Sequence, residues 1–295
     1  MQPLPGRFLT SVLVRRDGDL FLFDSGEGTQ VSIKMLNLRW KKISAIFISH
    51  MHADHVTGLP GMLMLSSQVD REEPLYIIGP YKLEEYIEST RRILDMYINY
   101  KIIFIPVEEG TVFKKEGFVI NAFPLRHTKP CWGYSLVEDR RKGEFYPEKA
   151  LALGVPRGKL WGTLQNGTSV TLEDGRVITS GMVMGNSRDG RKLSYVTDTL
   201  YFDKIAGYVE KSDILFCEAM FEKALAETAH EKKHMTSYEA GLIARDSDSR
   251  LLCLQHYSPR YTDRDLKILV SEAREVFPDT VLTRDRMSFN IPLKD

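Results

Sequence analysis

Cysteine is scarce in this chain of 295 residues, and the three present, Cys131, Cys217 and Cys253, stand far apart with no Cys-x-x-Cys spacing. An odd, scattered set excludes a disulfide framework and fits a reducing compartment. Net charge is missing too. Forty Lys and Arg balance forty Asp and Glu, so a nucleic-acid partner would have to be held by a local basic patch rather than by the whole surface. No apolar run reaches the roughly 18 residues of a membrane span, and Met1 to Arg15 lack the charged-then-apolar layout of a signal peptide. The expectation is a cytoplasmic protein with no membrane partner. Internal repeats and low-complexity segments are also absent.

What is there suits a globular protein: 43% hydrophobic residues can bury a substantial core in one large domain or two small ones. Periodicity predicts strands near Leu9 to Val14 and Leu20 to Phe23, a helix over Gln30 to Leu38 and a short buried strand over Ile43 to Ile48. A helix from about Gly61 to Ser67, a strand at Leu75 to Ile78, a helix near Lys82 to Met96, and strands near Lys101 to Val107 and Phe118 to Pro124 follow. From about Gly143 to Lys192 the pattern breaks repeatedly at glycines, which predicts an inserted arm of hairpins. Alternation then resumes, with strands near Leu193 to Val196, Ile214 to Cys217 and Leu251 to Leu254 between helices near Leu200 to Val209, Ser237 to Arg245 and Leu266 to Val276. Such alternation is that of a layered α/β protein.

Histidine is sparse, yet three of its seven residues fall in Ser49-His50-Met51-His52-Ala53-Asp54-His55, just past a strand end. Four solvated polar residues in a loop would not concentrate the type this way. In a tight loop His50 and His52 can converge on one ion while Asp54 and His55 turn toward a second, since imidazole and carboxylate both suit zinc in sites with an open position.

Four ligands do not fill two such sites, so further His or Asp residues are expected just past other strands. His127, Asp198 and His256 each lie one to three residues beyond an apolar strand, where loops at one sheet edge converge. Taken singly, His127 or His256 could be a hydrogen-bonded loop histidine and Asp198 a helix cap. Their shared position favours ligation. Asp198 is the natural bridge, because a carboxylate offers two oxygens to two metals roughly 3.5–4 Å apart.

These residues carry a resemblance that extends over nearly the whole chain. Phe23-Asp24-Ser25-Gly26-Glu27-Gly28-Thr29-Gln30, the run SHMHADHVTGLPG from Ser49, Asp198 in VTDT, and Gln255-His256-Tyr257-Ser258-Pro259-Arg260-Tyr261 together resemble the metallo-β-lactamase superfamily and, within it, the ribonuclease Z family. The resemblance implies an αββα sandwich, a single domain over 1–295 with metals at one edge, and an inserted flexible exosite arm at 143–192 that grips precursor tRNA. It implies an endoribonuclease that trims the tRNA 3′ end with two zinc or manganese ions, and a homodimer. Two departures stand out. Family members open with a strand and a glycine-rich loop before the segment matched by Met1 to Arg7, so a missing first strand or a rebuilt sheet edge is expected. Cys217-Glu218-Ala219-Met220 stands where the family has His-Glu-Ala-Thr.

Within that frame Asp54 is expected to orient or deprotonate the attacking water as well as bind metal. Glu218 and His234 are expected to relay a proton to the departing 3′ oxygen, although Glu218 could instead cap a loop and His234 open a helix. His230 reads as a surface histidine. Arg260 is expected to contact a phosphate near the cut, with a structural ion pair as the alternative. Glu138 to Lys192 holds ten Lys and Arg against seven Asp and Glu, a mildly basic balance. In the arm Gly158-Lys159 replaces the usual Gly-Pro pair, and Trp161 could stack on RNA or fill a small core.

Two other functions compete. A small-molecule phosphodiesterase or other hydrolase on the same metal core would not need the arm, and a metal-free RNA-binding subunit could lose its ligands freely, whereas this sequence keeps seven.

Overall fold

The computed structural model describes residues 1–68 and 71–293. Contacts divide them into one compact unit of Met1–Val137 with Lys192–Ile291 and a second that comprises Glu138–Arg191.

In the first unit, strands β1 (Val12–Arg16), β2 (Asp19–Phe23), β3 (Ile43–Phe47), β4 (Leu75–Gly79) and β5 (Ile102–Pro106) form a five-stranded sheet in that order. Only the β1–β2 hairpin is antiparallel. Alternation sorts its side chains to two faces, as the strand period of two requires. Leu20, Leu22, Ile46 and Ile48 pack on one side with helices α1 (Thr29–Met35), α2 (Ala53–Val56), α3 (Leu59–Ser67) and α4 (Lys82–Ile93), while Phe21, Phe23 and Phe47 turn to the other. Helix α4 buries Leu83 and Ile87, one turn apart, and carries Glu84 and Glu85 in its first turn and Arg91 and Arg92 in its last, both favourable to the helix dipole.

The second sheet begins with β6 (Gly110–Lys115), β7 (Phe118–Pro124) and β8 (Trp132–Glu138). Phe118, Ile120, Tyr134 and Tyr195 meet Phe21, Phe23 and Phe47 in a shared aromatic core between the sheets.

The inserted unit is largely helical, with α5 (Pro147–Ala152), α6 (Lys159–Gln165) and α7 (Ser180–Val183) and one two-stranded ladder of β9 (Val170–Thr171) and β10 (Val177–Ile178). This corrects the expected arm of hairpins. Gly154 and Gly167, with φ of +82° and +88°, follow the last turns of α5 and α6, and only Gly175 turns the ladder. Left-handed glycines end helices as readily as they turn strands, and periodicity over six or seven residues is too short to tell the two apart. The insertion starts at Glu138 rather than Gly143, where Arg191 donates to both carboxylate oxygens of Glu138. Trp161 belongs to the small core of this unit: it packs on Phe145 and its Nε1 donates to the Val155 carbonyl.

The second sheet resumes with β11 (Lys192–Val196), then helix α8 (Lys204–Tyr208), β12 (Ile214–Glu218), α9 (Ala226–Glu231), α10 (Ser237–Asp246), β13 (Leu252–Gln255), α11 (Leu266–Arg274) and β14 (Thr280–Leu282). Its strand order is β14-β13-β12-β11-β8-β7-β6. Ala240, Ile243 and Ala244 of α10 and Leu266, Leu269 and Ala273 of α11 bury the outer face against Leu215, Cys217, Leu252 and Leu254. Helix α10 starts with a capping box between Thr236 and Glu239. Helices therefore cover the outside of each sheet and aromatics fill the space between, an αββα sandwich.

Periodicity passes over β6, β8 and β14. Strand β6 is a half-exposed edge, and β14 has three residues. Helices α1 and α4 end earlier than expected because Asn37 and Asp95 adopt left-handed conformations, with φ of 52° and 48°.

Candidate metal centre

Each of the seven candidate ligands, and Glu218, stands at a strand's C-terminal end or in the segment that follows it, whereas His234 lies between two helices, Ala226–Glu231 and Ser237–Asp246. His50 follows β3, His52 caps α2, and Asp54 and His55 lie within α2. His127 follows β7, Asp198 follows β11, Glu218 ends β12 and His256 follows β13.

The loop that carries the first four is held by close backbone packing. Gly58 donates its N–H to the Ser25 carbonyl, and a Cβ on Gly58 would lie 2.1 Å from the Gly26 carbonyl oxygen. A Cβ on Gly26 would in turn meet the Asp54 carbonyl at 2.5 Å. Gly26 and Gly58 are thus two halves of one contact, and a side chain at either would push the loop of His50 to His55 out of place.

The structure brings the seven sequence-predicted ligands together in two groups, and His234 forms a third set with Asp198 and His256. Ligand-type atoms of His50, His52, His127 and Asp198 lie within 4.8 Å of one another, as do those of Asp54, His55 and His256. Asp198 faces both: Oδ2 is 3.7 Å from Nε2 of His50 and of His127, while Oδ1 is 3.5 Å from Nε2 of His55 and 3.2 Å from Nδ1 of His256. Asp198 caps no helix; α8 begins six residues later. Oδ2 of Asp54 is 3.3 Å from Nε2 of His256 and also meets the Met1 ammonium.

Nε2 of His50, Nε2 of His55 and Nδ1 of His256 are buried without a hydrogen-bond partner. A buried polar atom with no partner is costly, so three aimed into one space mark a place for an electron acceptor. His127 Nδ1 donates to the Lys233 carbonyl, which leaves its Nε2 lone pair for the cluster. Burial, and then the neighbouring His55, pushes His50 down to about 2, and burial pushes His127 down to about 4, so both imidazoles are neutral at ordinary pH. Burial alone would raise Asp198, but His256 and His55 outweigh it and hold the carboxylate well below its usual range. Burial would lower His55, yet Asp198 and Asp24 hold a proton on it. A cation placed among these groups would meet that same negative field. The donor set of imidazole nitrogen and carboxylate oxygen fits a divalent metal.

Beside the second group, Nδ1 of His234 lies 3.0 Å from Oε2 of Glu218, and the His234 ring stacks on His256 at 5.7 Å between centroids. Glu218 is fully buried and accepts the Thr199 N–H. Burial and the charge of Asp198 raise it, while burial lowers His234. His230 lies at the surface, hydrogen-bonded to Glu239. Arg260 is exposed and ion-paired with no acidic group in the described residues; its guanidinium sits 5.0 Å over the Phe221 ring, which is 6.2 Å from His234.

Sequence reasoning assigned no role to Asp24, Ser49 and Tyr195, which form a buried network behind the two groups. The readable signal was an aspartate directly after the apolar run Leu20 to Phe23.

A family model described as Anti-Pycsar protein Apyc1 matches residues 5–143. That span holds the His50 loop and His127 but none of Asp198, Glu218, His234 and His256. Curated relatives match throughout. Ribonuclease Z of Treponema denticola is 59% identical over all of this chain and 96% of its own length. Ribonuclease Z of Borrelia garinii subsp. bavariensis is 38% identical over 97% of this chain and 92% of its own. Among solved structures, the short form of human tRNase Z matches with a TM-score of 0.71 over 99% of this chain and 96% of that one at 24% identity, and the metallo-β-lactamase fold protein YhfI of Bacillus subtilis with 0.65 over 96% and 92% at 18%. Those two likenesses show the metallo-β-lactamase fold. With full-length identity of this order to curated relatives, the chain belongs to the ribonuclease Z family.

Proposed function

We propose that this ribonuclease Z family member cuts the 3′ trailer from precursor tRNA by hydrolysis of one phosphodiester at a pair of divalent cations, leaving a 3′-hydroxyl on the tRNA and a 5′-phosphate on the trailer. The observation that carries it is Asp198, whose two oxygens divide between the two histidine groups within reach of the Glu218–His234 pair. His50, His52, His127 and Asp198 would hold one cation, and Asp54, His55, His256 and Asp198 the other. Zinc suits the set best, and manganese also fits. Bound there, the cations would make a shared water acidic near neutral pH and neutralise charge on the phosphate.

The remaining work falls to protein groups. Asp54 has an oxygen free to orient or take the proton of the attacking water. As the bond from phosphorus to the 3′ oxygen breaks, His234 gives that oxygen a proton, and Glu218 on its Nδ1 fixes the ring so that Nε2 faces outward. Arg260, held over Phe221, is free to meet a backbone phosphate.

Residues 138–191 act in this reading as the arm that holds tRNA. A homodimer is supported by Val31, Met35, Met64 and Ile93, exposed apolar side chains on α1, α3 and α4, helices that pack side by side. Among the described residues no helix is long and apolar enough to cross a membrane. We place the activity in the cytoplasm, where three buried free thiols persist.

Incubating metal-analysed protein with a precursor tRNA and with a generic phosphodiester tests the reading. Trailer release at the tRNA 3′ end supports it. Cleavage of the generic diester alone would instead favour a small-molecule phosphodiesterase.

A further inference from the structure

We infer that one buried carboxylate, Asp24, sets the ligating nitrogen of a histidine in each of the two groups, and that Tyr195 is the positioning residue that locks it in place. The inference rests on the reading that the two groups hold cations.

Asp24 lies directly after β2 with a left-handed φ of 55°. That conformation is unfavourable for a side chain other than glycine and persists where its surroundings over-determine it. Here they do. Oδ1 accepts the Ser49 N–H at 2.7 Å, and Oδ2 accepts the Ser49 hydroxyl at 2.8 Å, Nδ1–H of His55 at 2.7 Å and the Tyr195 hydroxyl at 2.6 Å. All four residues are fully buried.

Oδ2 of Asp24 already acts as acceptor for the Ser49 and Tyr195 hydroxyls, so the nitrogen of His55 that faces it carries the proton. When a cation takes the place of the second proton that the same acidic neighbours favour, Nε2 presents its lone pair to the second group, where it has no hydrogen-bond partner. The same carboxylate reaches the first group through one hydroxyl. Ser49 spends its single proton on Asp24, so its oxygen can accept from Nδ1 of His50, 3.0 Å away. Nε2 of His50 is likewise aimed inward and unpartnered. His50 and His55 therefore share one tautomer for one reason.

Tyr195 makes a bond to Asp24 that crosses between sheets. It stands on β11 three residues before Asp198, and its ring packs on Phe23, next to Asp24. The hydroxyl thus ties the strand that presents the shared carboxylate to the loop that presents both histidines. Groups behind a metal ligand commonly change metal affinity about 10–100-fold.

The test is divalent metal binding to purified full-length protein, read as Co2+ stoichiometry and d–d absorption and as Zn2+ affinity against a chromophoric chelator, with circular dichroism of the metal-free protein as the folding control. Asp24→Asn, which keeps shape but cannot accept from all four donors, is expected to weaken both sites by about 10–100-fold. Ser49→Ala should weaken the site of His50 more than that of His55, since it removes the whole link to His50 but only one of the three partners of Asp24 Oδ2. Tyr195→Phe, which keeps the ring and is the variant safest for folding, should lower affinity at both sites several-fold and alter the Co2+ spectrum. Wild-type affinity at either site in Asp24→Asn, or an unchanged Tyr195→Phe spectrum and affinity, would overturn the inference. A wild-type chain that takes up no divalent cation would instead defeat the metal reading beneath it.

Discussion

Nδ1 of His234 is 3.0 Å from Oε2 of the fully buried Glu218, so this imidazole is oriented from behind while touching neither oxygen of Asp54. An oriented histidine outside the seven ligands has the geometry of a proton donor. His234→Ala is expected to retain bound metal yet lose about 10²–10⁴-fold in kcat for tRNA cleavage. Asp198→Ala should lose metal and activity together. Metal analysis of the two variants side by side separates them; equal metal loss in both would remove His234 from the relay.

Glycine at 58 is dictated by contact. Gly58→Ala would force a Cβ to within 2.1 Å of the Gly26 carbonyl, and because backbone cannot swing away, the cost should reach at least the upper end of the 1–3 kcal/mol typical of overpacking, about 3 kcal/mol. Thermal unfolding of the metal-free variant reads the stability loss, and metal affinity should fall with it, since Asp54 and His55 ride on the same loop.

Trp161 answers a question that sequence left evenly poised. Its ring fills the core of the inserted unit with Phe145, so Trp161→Ala should destabilise that unit by about 2–4 kcal/mol. Precursor tRNA cleavage should drop while a small generic diester is cut at the wild-type rate. Equal loss on both substrates would show that residues 138–191 support the catalytic unit instead of gripping RNA.

One pH dependence follows from a pair outside the candidate metal centre. Asp19 Oδ1 accepts from Ser44 and Oδ2 meets the Lys115 ammonium. Partial burial would raise the Asp19 carboxyl, but the hydrogen bonds from Lys115 and Ser44 outweigh it and lower it below 3.8. A lowered folded pKa adds stability above the unfolded value and loses it as pH falls through the folded one. Since the pair is partly exposed, Asp19→Asn should cost under about 1 kcal/mol at pH 7. The gap from wild type should close on acidification, which urea unfolding at pH 7 and at pH 3 measures.

That these histidines and aspartates converge was legible because histidine is sparse and clustered, and because short apolar strands mark where a sheet edge lies. His127, Asp198 and His256 could be found from that alone. Strands β6 and β14 could not, since a half-exposed edge and a three-residue strand carry little alternation. The helices of the inserted unit were hidden for a related reason: one or two turns between glycines give the same signal as a turn between strands. Asp24, Ser49 and Tyr195 escaped because nothing in a linear sequence shows that residues 171 positions apart share a hydrogen bond.

The most direct test is the number of divalent ions per chain in metal-reconstituted protein, read by native mass spectrometry while cleavage of precursor tRNA is followed. Two ions per chain, with cleavage appearing as the second is bound, is the expected result. Full tRNA cleavage by a chain that holds one ion or none would contradict the account.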